Sequence, residues 1–337
     1  MQDCISVNDQ SAVGEVRRRA AAMTAPLALD DTAAGRLALA VTECATNILK
    51  HAGNGHILLR LIGGSDGASG VEAIAVDKGP GMENVQASMR DGYSTGTSPG
   101  TGLGSLQRNT TGLEVYSRPG LGTVLRFECW ANPARALPPA AVTVGAVCIA
   151  KPGEDVPGDD WAVAGSDGRL VAIVADGLGH GPNAATASRL ACATMTAHAA
   201  RAPAEHATAI HAALRATRGA AGAVAALVPP RGTGVFCGIG NIAACVVVDG
   251  VTRNLPSHNG TLGHQMRKAQ EFDFAFPRGA LMVMHSDGVG THWSLASYPG
   301  LAARHPALVA AVIHRDFRRG TDDATVVALR HAGASSP

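Results

Sequence analysis

The sequence predicts an α/β (α+β) protein of two domains, the first mixing helices with strands, the second a β-sandwich with helices outside. Three observations predict it. The length of 337 residues suits two domains of roughly 100–200 residues each. The stretch ANPARALPPAA at 131–141 is rich in Pro, which stops regular structure, and reads as a linker. The pattern also changes across that stretch: long helices alternate with strands before it, and short apolar strands around a helical pair follow it. The expected boundaries are therefore 1–130, a linker over 131–141, and 142–332.

Before the linker, strands are expected near 4–7, 56–62, 71–77, 113–117 and 123–129, and helices from about residue 9, over 30–51 and near 103–110. Asp30 or Asp31 is placed to cap the second helix. After the linker, strands are expected near 143–149, 160–166, 169–176, 224–228, 234–240, 243–249, 280–286 and 324–330. An Ala-rich tract over 182–201 reads as helix, because its alanines are interleaved with other apolar and polar residues. A further helix covers 204–218.

Composition narrows the function. A hydrophobic content of 46% with 16% charged residues fits compact folding rather than long disorder. A net charge of +1, from 28 basic and 27 acidic residues, argues against binding nucleic acid by bulk charge. No basic run suggests a membrane surface, and no stretch approaches the ~20 apolar residues of a spanning helix. The start, MQDCISVNDQ, lacks a basic segment followed by an apolar one, so no secretory signal is expected. The seven cysteines form no C-x-x-C pair, and Cys44, Cys148 and Cys245 lie in apolar segments. Buried thiols in a reducing cytoplasm are expected, not zinc or disulfides.

Three segments of the first half carry chemistry. In TECATNILKHA, Glu43 and Asn47 stand four apart, which puts both on one helix face. A carboxylate and a carboxamide there can hold magnesium and orient an attacking group. In VDKGPGM, Asp77 is followed by Gly79 and Gly81; an acceptor-only carboxylate suits an exocyclic amine such as that of adenine, and the glycines let backbone approach a ligand. In SPGTGLGSL, Gly100, Gly102 and Gly104 open a helix, where free N–H groups favour phosphate. Taken singly, each segment reads equally as a solvated face or a turn; the order and combination are specific.

E-x-x-x-N, D-x-G-x-G and G-x-G-L-G in this order resemble the N, G1 and G2 boxes of GHKL ATPases. The stretch RDGYSTGTSPGTGLGSLQR is similar to RsbT/RsbW-type serine kinases, which phosphorylate anti-sigma-factor antagonists. The resemblance covers about 6–128. It implies an α/β sandwich with helices on one face of a mixed sheet. It implies ATP as cofactor, magnesium on Asn47, Glu43 acting near the γ-phosphate, Asp77 reading adenine, and Thr123 supporting that pocket. No helical hairpin with a phospho-accepting His precedes these motifs, so a serine kinase is expected over a histidine kinase. One departure stands out. Where the family carries acidic residues and a Phe, this chain reads TTGLEVYS, and Gly112 is expected to weaken the end of the preceding helix.

The second half holds four separated acidic motifs at strand ends: GEDVPGDDW, DGLGHGPNAA, SDG and DDAT. Their candidate metal ligands are Asp159, Asp176, Asp287 and Asp322, with the Gly177 carbonyl as a further oxygen. Hard divalent cations prefer such donors, and a pair of them can activate a water for in-line attack on a phosphoester. A single Asp-Gly is usually a surface turn; four such motifs in order, each joined to an apolar strand, are not explained that way. They resemble the SpoIIE-like and RsbX-like branch of the PPM-type protein phosphatases, over about 142–329. That resemblance implies an α-β-β-α sandwich with magnesium or manganese bound at its edge. Asp160 and Asp323 read as alternative or supporting residues. His180 reads either as a proton donor or as a polar residue shaping its turn. Lys151 and Arg169 read as solvated basic residues, with phosphate contact as the alternative.

Together the resemblances imply a cytoplasmic, bifunctional signalling switch that adds and removes phosphate on Ser or Thr of a STAS-domain anti-sigma-factor antagonist or stressosome-like partner. The alternative is a phosphatase whose ATP-binding domain only senses nucleotide or sequesters a partner. These motifs set no oligomeric state.

Overall fold

The computed structural model describes residues 2–27, 29–63, 69–89, 102–131, 141–166 and 168–332. The chain divides into two compact units, Met1–Pro138 and Pro139–Pro337. Gly100 and positions 132–140 of the expected linker lie outside the described residues.

The first unit runs β1 (Gln2–Val7), α1 (Gln10–Thr24), α2 (Asp31–His51), β2 (Gly55–Gly63), β3 (Ser69–Asp77), α3 (Val85–Ser88), α4 (Gly102–Asn109), β4 (Thr111–Ser117) and β5 (Thr123–Trp130). Helix α1 starts where the Asp9 carboxylate accepts from the Ser11 and Ala12 amides, and α2 where Asp30 accepts from Ala33 N at 2.6 Å. Such caps satisfy amides that a helix start leaves free. The buried residues of α2 (Leu37, Ala40, Val41, Cys44, Ala45 and Ile48) recur at three- and four-residue spacing, the signature of one apolar stripe. They pack with Val16 and Ala20 of α1 on Ile57, Leu59, Ala73, Leu125 and Phe127. The sheet order is β1-β2-β3-β5-β4. Every pairing in it is antiparallel, which corrects the expected mixed sheet. Gly112 also departs from expectation. It lies in β4 at φ +59° beside a register shift, so it makes a bulge beyond the helix rather than weakening the helix end.

The strands alternate, so residues between the core positions point to the other sheet face. There Glu72, buried on the central strand, accepts from Arg60 Nη2 at 2.6 Å and from Arg126 Nε at 2.8 Å. Arg126 also donates to Glu128, which accepts from Trp130 Nε1 at 2.7 Å. Burial opposes the charge on Arg126, but the Glu72 and Glu128 carboxylates outweigh it and hold its pKa above the usual value.

The second unit runs β6 (Val142–Ile149), β7 (Asp159–Ser166), β8 (Arg169–Gly177), α5 (Pro182–Thr196), α6 (Pro203–Ala213), β9 (Ala220–Val228), β10 (Thr233–Ile239), β11 (Ala243–Val248), β12 (Val251–Leu255), β13 (Ser257–His258), β14 (Phe272–Ala275), β15 (Leu281–His285), α7 (Pro306–Phe317) and β16 (Ala324–His331). One sheet has the order β13-β10-β9-β8-β7, with β14 also on β10; the other is β12-β11-β15-β16-β6. Val174, Ala223, Ala225, Leu227 and Phe236 of the first meet Val246, Met282, Met284, Val327 and Leu329 of the second in a shared core. Outside the first sheet, Val171, Ile173 and Ala175 pack on Ala187, Ala191 and Met195 of α5 and Ile210 of α6. Helix α7 covers the second sheet so closely that a Cβ on Gly145 of β6 would stand 1.9 Å from Ala307 N. The layers are therefore α-β-β-α. Helix α7 and strands β12 to β14 are absent from the sequence-based expectation.

Candidate functional sites

In the first unit, α2 presents Glu43 and Asn47 half-buried on one face. The first residue of α4 lies against them: a Cβ on Gly102 would be 2.9 Å from Glu43 Oε2 and 3.5 Å from Asn47 Nδ2. Gly104 is buried within the same helix. Asp77 ends β3, and its Oδ1 accepts from Gly79 N at 2.8 Å and Thr123 N at 3.2 Å. One oxygen of the carboxylate therefore holds the turn in shape. Gly81 and Gly122 adopt φ near +70°. A Cβ on Gly81 would lie 1.9 Å from Arg118 O, and one on Gly122 would lie 2.2 Å from Asp77 O. Only glycine fits either place. Gly79 is packed on Ala52 of the α2 end. Ser117 completes the knot, and sequence reading missed it. Its hydroxyl donates to Gly122 O at 3.0 Å, accepts from Met82 N at 2.9 Å and stands 2.9 Å from Thr123 Oγ1.

In the second unit, Asp176, Asp287 and Asp322 line one cavity of about 220 Å³, with Lys151, Leu178, Gly179, His180, Asn241 and Thr321 among its walls. The topology explains the meeting. Asp176 closes β8 and stands opposite Asp159 in the β7–β8 register. Asp287 follows β15, and Asp322 precedes β16, its sheet neighbour. Gly177 brings α5 in: a Cβ there would be 2.1 Å from Ala184 O.

Asp159 behaves differently from the other three. It is buried, does not line the cavity, and its Oδ2 accepts from Ser286 Oγ at 2.6 Å. Ser286 Oγ in turn accepts from Thr325 N at 3.0 Å. The adjacent acids also separate. Asp160 is half-buried, and its Oδ1 accepts from its neighbour's amide, Trp161 N, at 2.9 Å. Asp323 is buried, and its carboxylate accepts from Lys151 N at 2.8 Å and Gly158 N at 2.9 Å, pinning the loop before β7. Asn241, which the sequence reading did not single out, donates to Asp287 Oδ2 at 2.7 Å.

Burial pushes the Asp176 carboxyl up to about 9, and the charges of Asp159, Asp287 and Asp322 push the same way. Burial likewise raises Asp159, with the Ser286 hydrogen bond opposing. Among the described residues no three His, Cys, Asp or Glu side chains already stand at metal-ligand spacing. The donor set nevertheless fits a hard divalent cation: the carboxylates lining the cavity repel one another, and a cation there relieves that repulsion. No helix among the described residues is long and apolar enough to cross a membrane.

These two sites on these two frames define an ATPase-like module and a phosphatase-like module in one chain. Residues 7–129 match the histidine kinase-like ATPase domain, and residues 166–332 match stage II sporulation protein E, SpoIIE. The chain thus carries a histidine kinase-like ATPase domain followed by a SpoIIE-like domain. The serine/threonine-protein kinase RsbT of Bacillus subtilis is 28% identical over 129 residues, which is 38% of this chain and 96% of RsbT. Among solved structures, one from work on the bacterial stressosome as a modular system controlling secondary messenger signalling has a TM-score of 0.53 and 28% identity, covering 56% of this chain and 99% of its own. RsbX in complex with magnesium has a TM-score of 0.49 and 18% identity, covering 56% of this chain and 94% of its own.

Proposed function

We propose that this chain is a partner-switching regulator that both adds and removes phosphate on Ser or Thr of a STAS-domain protein. The observation that carries the phosphatase half is the meeting of Asp176, Asp287 and Asp322 in one cavity at the sheet edge. Asp176, Asp287 and Asp322, with Asp159 and the Gly177 carbonyl beside them, would hold magnesium or manganese. Such ions, when bound, lower the pKa of a water and neutralise charge on the phosphoryl group. Asn241 holds Asp287 in place. Asp323 fixes the backbone of Lys151, a cavity-lining residue that would offer a cation to a phosphate.

The ATPase-like half supports transfer by the position of α4, whose first residue meets Glu43 and Asn47. Asn47 would hold magnesium, and Glu43 would orient or deprotonate the accepting hydroxyl. Asp77, supported by Thr123, would accept from the adenine amine. Gly102 and Gly104, with Gly100, would bring backbone amides to the phosphates.

Phosphate release from a phosphoserine peptide, measured with the full chain and manganese, tests the phosphatase half. Asp176→Ala and Asp287→Ala are each expected to abolish it. Undiminished release in both variants would remove the metal assignment.

A further inference from the structure

We propose that the turn carrying Arg218 and the loop carrying Arg267 and Lys268 form a docking surface, beside the carboxylate cavity, for an acidic segment of the phosphoprotein partner. The inference rests on the phosphatase reading and deepens it, because it names the chemistry of the substrate around its phosphoserine. Arg218 marks the edge of the surface. Its Nη1 stands 2.9 Å from the place a Cβ on Gly179 would take, and Gly179 lines the cavity. Backbone ties the two segments together, since Leu178 N donates to Gly219 O at 3.0 Å. Leu178 lines the same cavity and is 41% exposed.

The cations sit on two segments that brace each other. Ala220 and Leu262 form an antiparallel bridge. His264 Nε2 donates to Arg218 O at 2.9 Å, and Gly263 N donates to His211 Nδ1 at 3.1 Å. Gly219 is held at φ +79°, where a Cβ would stand 2.6 Å from Leu262 O; a side chain has no room there. Beyond Gln265, Met266 and Ala269 pack against the apolar cluster of α5 and α6. Arg267 and Lys268 between them are exposed, as are Arg215 and Arg218.

Among the described residues none of these cations is ion-paired. Two carboxylates of the same region are committed to the start of α6: Glu271 accepts from Ala204 N at 2.9 Å, and Glu205 from Ala202 N at 2.8 Å. The whole chain has a net charge of +1, so unpaired cations gathered here are a local feature and not a share of general basicity. Clustered charge of one sign attracts and orients a partner of the other sign. The exposed Leu178 adds the apolar contact that a charged rim surrounds in protein interfaces. Nucleic acid or anionic lipid would use the cations alone, whereas a phosphoprotein uses the cations, Leu178 and the cavity together.

The test uses the full chain with manganese and two phosphoserine peptides of equal length. One has Asp and Glu flanking the phosphoserine, and the other has Asn and Gln in their place. A few exposed ion pairs should give the acidic peptide about a tenfold advantage in kcat/KM, and the advantage should fade as salt rises. Arg218→Glu combined with Arg267→Glu should abolish it and favour a peptide flanked by Lys, an inversion that loss of structure would not produce. Arg218→Lys should keep it, since charge carries the effect. Hydrolysis of p-nitrophenyl phosphate, which has no flank, should be the same in wild type and variants. Equal kcat/KM for the acidic and neutral peptides in the wild type, or a preference that survives in the double variant, would overturn the docking surface. So would sedimentation with phosphatidylserine vesicles that depends on Arg218 and Arg267 while the peptides are hydrolysed alike, because the cations would then serve a membrane. A wild-type chain that hydrolyses neither p-nitrophenyl phosphate nor any peptide sinks the phosphatase reading itself, and the surface with it.

Discussion

Asp77 accepts from two backbone amides, Gly79 N and Thr123 N, on Oδ1, and its carboxylate is the acceptor proposed for the adenine amine. Asp77→Asn replaces one acceptor oxygen with an NH₂ donor, which sets donor against donor towards that amine. Losing a hydrogen bond of this kind costs about 1.5–3 kcal/mol, or roughly ten- to hundred-fold in affinity. Titration calorimetry of the full chain with magnesium-ATP should show that loss without a change in fold; wild-type affinity would argue against this pocket. Glu72 invites the opposite experiment, because its role is structural. Its carboxylate stands between Arg60 and Arg126 while almost fully buried. Glu72→Ala takes away the buried carboxylate that Arg60 and Arg126 share, leaving Arg126 with Glu128; breaking a buried ion pair costs up to about 3–5 kcal/mol. Chemical unfolding monitored through Trp130, which shares this network, should show the first unit melting early.

His206 gives a pH dependence whose sign can be worked out. It is fully buried, and neither ring nitrogen meets a hydrogen-bond partner among the described residues. Burial pushes its pKa down to about 4, with the Arg169 and Arg201 charges acting in the same direction. The unfolded chain, with an ordinary histidine near 6.5, therefore takes up this proton first as pH falls. Stability from the neutral ring is complete above about pH 6.5 and is lost as pH falls towards 4. Across that window His206→Leu should unfold with a slope lower by about 1.4 kcal/mol per pH unit. Identical slopes would show that the buried ring is hydrated or paired in solution. At this scale the sequence discloses motif residues, because Asp176, Asp287 and Asp322 each end or precede an apolar run. Ser117, Asn241 and Ser286 escape it, since each acts on a partner that only the fold brings near: Asn241 and Asp287 are 46 positions apart, and Ser286 and Asp159 are 127 apart.

Helix α7 shows where periodicity stops informing. From Pro306 to His314 every residue is buried, so no polar face marks a 3.6-residue repeat, and a run of this kind cannot be told from buried strand by pattern alone. Strands β12 to β14 were illegible for a different reason: they are short, and β12 is mostly exposed. By contrast, α2 announced itself through its Asp30 cap and apolar stripe. The close seat of α7 makes its own prediction. Gly145→Ala puts a methyl into the Ala307 backbone, and overpacking of this sort costs about 1–3 kcal/mol or more. Hydrogen exchange should then show faster exchange at the amides of α7 and β6, with β1 to β5 unaffected. Unchanged protection of α7 would mean that the helix rides higher on the sheet than the structure places it.

At the scale of the whole molecule, the question is why one chain carries an ATPase-like unit and a phosphatase-like unit. If both act on one partner, the covalent connection raises the effective concentration of each site for a partner held by the other. Net phosphorylation then follows the supply of ATP and metal rather than the synthesis of two proteins. The proposal predicts opposite phenotypes from two single substitutions. Glu43→Ala, which removes the carboxylate beside Gly102, should leave a chain that only strips phosphate from a STAS-domain partner. Asp287→Ala, which removes a carboxylate of the cavity and the acceptor of Asn241, should leave a chain that drives the same partner to full phosphorylation. Mass spectrometry of the partner over time, with wild type and both variants, reads the two outcomes together and locates the serine. Should the variants act on different serines or different proteins, the units are not opposed, and the fusion joins two separate steps. Should Asp287→Ala add no phosphate while still binding ATP, the first unit senses nucleotide and the phosphatase alone sets the state of the partner.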